Sequence, residues 1–191
     1  MGKSKTIKHK KIYSLNDYNS GDGMLTSVWG PSMWHTLHTI SFNYPVDPTK
    51  NDKRNYRDYI LNLKYVLPCG KCRANLKNNF KKLPLKMKHM ENRETLSKYV
   101  YELHELINTM LGKKSGLSYD DVRERYEDFR ARCTISLKEV KPKSKTYKKK
   151  ENGCTEPLYG EKSKCILKII PNDNKQETFQ IDNKCVRKVL E

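Results

Sequence analysis

The chain has 191 residues, with 39 Lys and Arg against 22 Asp and Glu, a formal net charge of +17 and 36% hydrophobic residues. That length allows one domain with appendages, and that composition excludes a large apolar core. No stretch approaches the ~18 apolar residues of a membrane-crossing helix, and the N-terminus has no apolar signal core, so the expected setting is the cytoplasm, or a virion if the source is a virus.

Lys3, Lys5, Lys8, Lys10 and Lys11 crowd the start of the chain. With Asn, Ser and Gly around them and no periodicity, residues 1–25 read as a basic disordered tail. A first helix is expected from Ser32 to Phe42, opening after Gly30-Pro31, because proline suits a helix start. Trp34, Leu37, His38 and Ser41 fall on one of its faces. Tyr56, Tyr59, Ile60, Leu63 and Leu67 recur at helical spacing and predict a second helix over 51–66, broken by Pro68. A third helix over 70–81 sets Cys72, Leu76 and Phe80 on one line. A fourth over 93–111 carries Leu96, Tyr99, Val100, Leu103, Ile107 and Met110, with Gly112 at its end. A fifth over 118–131 carries Val122, Tyr126 and Phe129, and Ser118 with Asp121 forms a capping box.

Lys138, Lys141, Lys143, Lys145 and Lys148 to Lys150 mark residues 134–150 as a lysine-rich linker, a solvated charge run. Nucleic acid is not the expected partner, because the basic residues lie in tails with few interleaved aromatics. Beyond the linker, Cys165 to Ile170 is strand-like, Pro171-Asn172-Asp173-Asn174 is turn chemistry, and Thr178 to Ile181 reads as a returning strand. Residues 151–191 are therefore expected to form a small module containing β-structure. It is too small for its own core, so docking on the helices or a disulfide staple is expected. The fold class is mostly α: a four-helix bundle plus a short fifth helix over 26–133, followed by this module.

The chain has six cysteines, which is unusual where thiols are kept reduced. Leu67-Pro68-Cys69-Gly70-Lys71-Cys72 places a dithiol at the start of the third helix. A helix N-terminus favours a thiolate, through its free N–H groups and positive dipole end. Two sulfurs at this spacing can also close a disulfide across one turn. By itself the pair supports either redox work or a structural role. Zinc is disfavoured, because no second Cys pair follows at ligand spacing, and no metal site is expected. The line Cys72, Leu76 and Phe80 makes Cys72 the inward sulfur and leaves Cys69 nearer the surface. Two further pairs share the helical i, i+4 spacing: Trp34 with His38, and His104 with Asn108. Lys113 follows the fourth helix.

Four segments together resemble the Erv/ALR family of FAD-linked sulfhydryl oxidases, most of all its short members from large DNA viruses. They are Trp29-Gly30-Pro31-Ser32-Met33-Trp34-His35-Thr36-Leu37-His38, the Cys69–Cys72 segment, His104-Glu105-Leu106-Ile107-Asn108-Thr109-Met110-Leu111-Gly112-Lys113, and Tyr126. The resemblance implies an FAD-dependent thiol oxidase acting on protein thiols, with oxygen as final acceptor and hydrogen peroxide released. It implies Cys69 meeting the substrate and Cys72 facing the flavin, with Trp34, His38, His104, Asn108, Lys113 and Tyr126 holding the cofactor. It also implies a homodimer packed through the first helices. Three places depart from the family pattern. Glu105 stands where Asn is usual, and Leu67 where an aromatic is common. Tyr101 and Tyr119 stand near the places of a structural cysteine pair, where two tyrosines can fill the space by packing. Two other classes remain: a flavin-free CxxC oxidoreductase, disfavoured by the helical setting of the dithiol, and a basic structural or nucleic-acid-binding protein. Of Cys133, Cys154, Cys165 and Cys185, two or more are expected to staple the C-terminal module and not to relay electrons.

Overall fold

The computed structural model describes residues 14–131 and 154–186. The first part of the expected basic tail, Cys133 and the expected lysine-rich linker lie outside the described residues. Six α-helices lie within them: α1 (Leu15–Tyr18), α2 (Thr26–Phe42), α3 (Lys50–Val66), α4 (Gly70–Lys82), α5 (Arg93–Met110) and α6 (Tyr119–Glu127). A 3-10 turn, Met87–Met90, links α4 to α5.

Local chemistry sets most helix starts. Thr49 with Asp52 opens α3, Asn92 with Thr95 opens α5, and Ser118 with Asp121 opens α6, each as a reciprocal cap. These caps satisfy backbone N–H groups that have no partner inside the helix. The start of α2 is different. The expected start was Ser32, yet the helix begins at Thr26 and carries Pro31 inside it. No side chain caps Leu25. Tertiary contacts hold this extra turn instead: Trp29 Nε1 donates to Met24 O (3.1 Å), and Met24 N donates to Pro68 O (2.7 Å). Proline removes one ladder bond at this place, and the docking compensates.

The bundle pairs α2 with α5 and α3 with α4, while α6 crosses α2 and α5. Leu37, Ile60, Leu63, Leu76, Phe80, Leu96, Val100 and Leu103 form its core, with Tyr44 and Tyr99. The two tyrosines are buried with their hydroxyls satisfied, by Met90 O (3.0 Å) and Leu83 O (2.9 Å). Tyr101 and Tyr119 meet edge-on at 5.9 Å, and their hydroxyls bond Leu117 O and Ser97 Oγ, each at 2.8 Å. Ring packing thus ties α5 to the start of α6 where a covalent staple is absent.

Helix α6, the fifth expected from the sequence, stops at Glu127, short of the expected 131. Arg130 is drawn out of helical register by the body: its guanidinium donates to Phe42 O (2.6 Å) and pairs with Glu127 (2.7 Å). Beyond it the expected β-structure is not found. No strand occurs among the described residues, and the one pairing is an isolated antiparallel bridge between Ala131 and Pro157. The expected turn does form, with Asn174 N bonded to Pro171 O (3.1 Å). The flanking runs do not pair across it. Ile166, Leu167 and Ile169 are about three-quarters exposed, and a lone two-stranded ribbon with no face to bury is not stable.

Candidate redox site

Cys69 is the N-cap of α4, and its sulfur accepts the backbone N–H of Cys72 at 3.2 Å. Cys69 and Cys72 are joined by a disulfide, with Cα atoms 5.2 Å apart. Local bonds shape the approach to it: Cys69 N donates to Leu67 O (2.8 Å), and Arg73 Nη1 donates to the same carbonyl (2.6 Å). The N-terminal segment lies directly on this loop. Gly23 is required there, because a Cβ would meet Pro68 O at 2.8 Å and Cys69 Cα at 3.1 Å. Thr26 Oγ1 sits 3.6 Å from Cys72 Sγ. Cys72, Met33, Trp34 and Ile107 all pack on the same buried core cluster, while Cys69 and Cys72 are both half-buried.

Trp34 stacks on His104 with ring centroids 3.9 Å apart and planes 8° from parallel. His38 Nε2 and His104 Nδ1 are 3.0 Å apart, a hydrogen bond between α2 and α5. Burial pushes the His38 imidazole down to about 3, helped by its histidine neighbours. Burial also pushes His104 down to about 4, with Glu105 opposing and Lys113 assisting. Both rings are therefore neutral at pH 7, and one hydrogen is shared between them. His38 is only 4% exposed, and its other ring nitrogen, Nδ1, is buried with no hydrogen-bond partner among the described residues. A buried polar atom left in that state has an unmet hydrogen-bonding capacity that a ligand heteroatom could answer.

The rings continue outward from His38. Tyr126 lies 5.3 Å from His38, stacks on Phe42 at 5.4 Å, and approaches His35 Nδ1 with its hydroxyl at 3.2 Å. Burial pushes the Tyr126 phenol up to about 12, so it stays protonated. Thus Trp34, His38, His104 and Tyr126 meet in one cluster. Asn108 does not reach its rings by any hydrogen bond; its amide donates to Glu105 Oε1 (2.9 Å). The departure at Glu105 thus engages its own helical neighbour. Lys113 is exposed past the end of α5, with its charge felt at His104.

His35, Phe42 and Phe129 also line the cluster and are not among the site residues expected from the sequence. The signal for two of them was present: His35 and Phe42 flank His38 at i−3 and i+4 on the same helix. Phe179 had no such signal. It sits 5.2 Å from His35 and 6.1 Å from Phe129, though it lies far away in the chain. Of the remaining cysteines, Cys154 is disulfide-bonded, Cys165 is an exposed thiol, and Cys185 is a half-buried thiol.

The sequence matches the profile of the Erv1/Alr family over residues 31–127. It is 36% identical over 104 residues to a probable FAD-linked sulfhydryl oxidase of Acanthamoeba polyphaga mimivirus, covering 54% of this chain and 72% of that protein. It is 30% identical over 99 residues to an FAD-linked sulfhydryl oxidase of African swine fever virus, covering 52% of this chain and 80% of the relative. Among solved structures, the yeast Erv1 core aligns with a TM-score of 0.50 at 20% identity, covering 64% of this chain and 96% of that one. The FAD-binding domain of Erv1 from Saccharomyces cerevisiae aligns with a TM-score of 0.50 at 24% identity, covering 55% and 96%. These two likenesses concern the fold.

Proposed function

The chain belongs to the Erv1/Alr family, and from that membership we propose that it is an FAD-linked thiol oxidase that makes disulfides in protein substrates in the cytoplasm. One observation carries the reading: Cys72 of the disulfide at the N-cap of α4 and Trp34, which stacks on His104, pack against the same core, and His38 beside Trp34 holds a buried, unpartnered imidazole nitrogen.

The side chains suit the cofactor. A flavin needs flat apolar contact and a few fixed polar atoms. Trp34, His104 and Tyr126 supply ring faces, His38 Nδ1 supplies a buried polar atom, and Lys113 supplies a cation for a phosphate. When bound, the flavin supplies a two-electron acceptor that returns the pair to oxygen as hydrogen peroxide. The remaining steps belong to the protein. A substrate thiolate attacks Cys69 Sγ, forming a mixed disulfide and releasing Cys72 as thiolate. The second substrate thiol then attacks its own sulfur in that bond. The substrate leaves oxidised, and Cys69 leaves as thiolate, favoured by the Cys72 N–H and the positive end of α4. Two electrons have then passed from substrate to dithiol, and the substrate's thiol protons have gone to solvent. In this reading Cys72, which packs against the core, hands the pair onward. His38 and His104, neutral at working pH, orient the cofactor and relay no proton.

A homodimer is part of the reading, supported by exposed Leu15, Tyr18, Met24, Leu25 and Val28 along one N-terminal stretch. Light scattering should give twice the 22.5 kDa chain mass. The activity itself is tested on purified protein. It should be yellow, with a flavin absorbance band, and should consume oxygen and yield peroxide with dithiothreitol. A colourless protein with intact helices that gains no activity on adding FAD overturns the reading.

A further inference from the structure

The C-terminal module has exposed apolar residues at Ile166, Leu167 and Ile169, yet none of these turns to the body. Phe179 does. Its ring lies 5.2 Å from His35, stacks toward Tyr126 at 6.5 Å and 18°, and meets Phe129 edge-on at 6.1 Å. The Arg125 guanidinium lies over the same ring, 5.4 Å from its centroid. Tyr126 is in turn 5.3 Å from His38, the residue with the unpartnered buried nitrogen. The wall of rings that begins at Trp34 and His104 therefore ends on a residue from the other side of the linker.

We propose that Phe179 is a cofactor-binding residue, and that the C-terminal module clasps the outer end of the flavin adenine dinucleotide site. The proposal rests on the flavoprotein reading above. Two chemical features support it. Rings gain most by offset and edge contacts with other rings, and Phe179, half-buried, makes both kinds with the outer rings of the cluster. A guanidinium beside an aromatic face also suits a ligand whose rings are joined to phosphates. Coupling of this kind is reciprocal: if the docked module favours bound cofactor, bound cofactor favours the docked module by the same factor. The same geometry has an opposite outcome, in which Phe179 fills space the cofactor needs. The two differ in the sign of one measurement.

The full-length protein is stripped of flavin and titrated with FAD, following flavin fluorescence. Phe179→Ala should bind FAD roughly three- to tenfold more weakly than wild type, the scale of one lost ring contact. Phe179→Trp should stay within about twofold of wild type, because it keeps an aromatic face. Saturating FAD should slow tryptic cleavage at Lys164, Lys168 and Lys175 in wild type and not in Phe179→Ala. Equal affinities in wild type and Phe179→Ala overturn the proposal and leave the flavoprotein reading standing. Tighter binding by Phe179→Ala overturns it in favour of a plug. Failure of wild type to bind FAD overturns both.

Discussion

The helical body and the C-terminal module are held together by different physics. Every buried hydrophobic residue of the described chain lies between Leu37 and Val122, and none of residues 154–186 is buried. The body removes its own apolar surface from water, which is what makes a domain self-sufficient. The module is held at points, among them the Ala131–Pro157 bridge, Leu158 N bonded to Arg130 O (2.7 Å) and the Phe179 contact, and its Cys154 is disulfide-bonded. Its interior closure is a backbone contact as well. Glu161 N donates to Lys184 O (2.8 Å), and Gly160, at φ +64°, lies where a Cβ would meet Cys185 C at 2.7 Å. The chemistry follows the division. The dithiol and the neutral histidines sit on the packed body, where geometry is fixed, and the module reaches only the rim of the site.

The largest expected effect separates the two regions by sulfur chemistry. Cys69→Ser or Cys72→Ser should abolish oxidation of dithiothreitol, while Cys165→Ser and Cys185→Ser, outside the dithiol, should leave it within about twofold. Loss of activity in either of the last two would move the module into the electron path. Cys69→Ser should in addition leave a thiolate at Cys72 with a long-wavelength absorbance band in the yellow protein. The same band in Cys72→Ser instead would reverse the roles of the two sulfurs.

Stability should divide the same way. Leu96, fully buried in the core, should cost about 2–5 kcal/mol on replacement by alanine. Ile166→Ala should stay within about 0.5 kcal/mol, as at other exposed positions. Urea unfolding monitored by far-UV circular dichroism measures both. A comparable loss in Ile166→Ala would mean that the module is packed as tightly as the body.

A pH effect should belong to the body alone. His38 and His104 are held below the ordinary histidine value by burial, and so are His35 and His89. The unfolded chain then binds more protons than the folded one just below pH 6.5, so stability falls as pH drops through that range. Above pH 6.5 the contribution is fully present. The pair His38 and His104 should contribute a loss of about 2 kcal/mol between pH 7 and pH 5.5 in the flavin-free protein. The carboxylates with lowered values, Asp52, Asp121 and Glu127, act at lower pH. Equal unfolding free energies at pH 7 and 5.5 would show that these imidazoles are not neutral and buried.

The smallest expected effect is local to the module. Gly160→Ala places a side chain against the Cys185 backbone at a φ that alanine disfavours. Amide exchange should speed up around 158–161 and 182–186 while the unfolding midpoint of the body moves by less than about 2 °C, as expected when no core contact changes. An unchanged exchange pattern would show that this closure is not what orders the module.

The sequence by itself determined the elements whose causes are local. Helices α3, α4 and α5 begin and end within a residue or so of where caps, Pro68 and the apolar period put them. It placed the dithiol at a helix N-terminus and set Trp34, His38 and His104 on helix faces that meet. It also set Tyr101 and Tyr119 as a ring pair between α5 and α6. Tertiary structure decided everything whose cause lies far along the chain. The first turn of α2 exists because Met24 docks on Pro68, a contact that no pattern within either segment announces. Arg130 ends α6 early because Phe42 O is within its reach. The strand-like run at Cys165 to Ile170 has the residues of a strand and no partner, since pairing is a property of two segments and not of one. Phe179 joins the aromatic wall for the same reason: only the folded chain brings the two sides of the linker together.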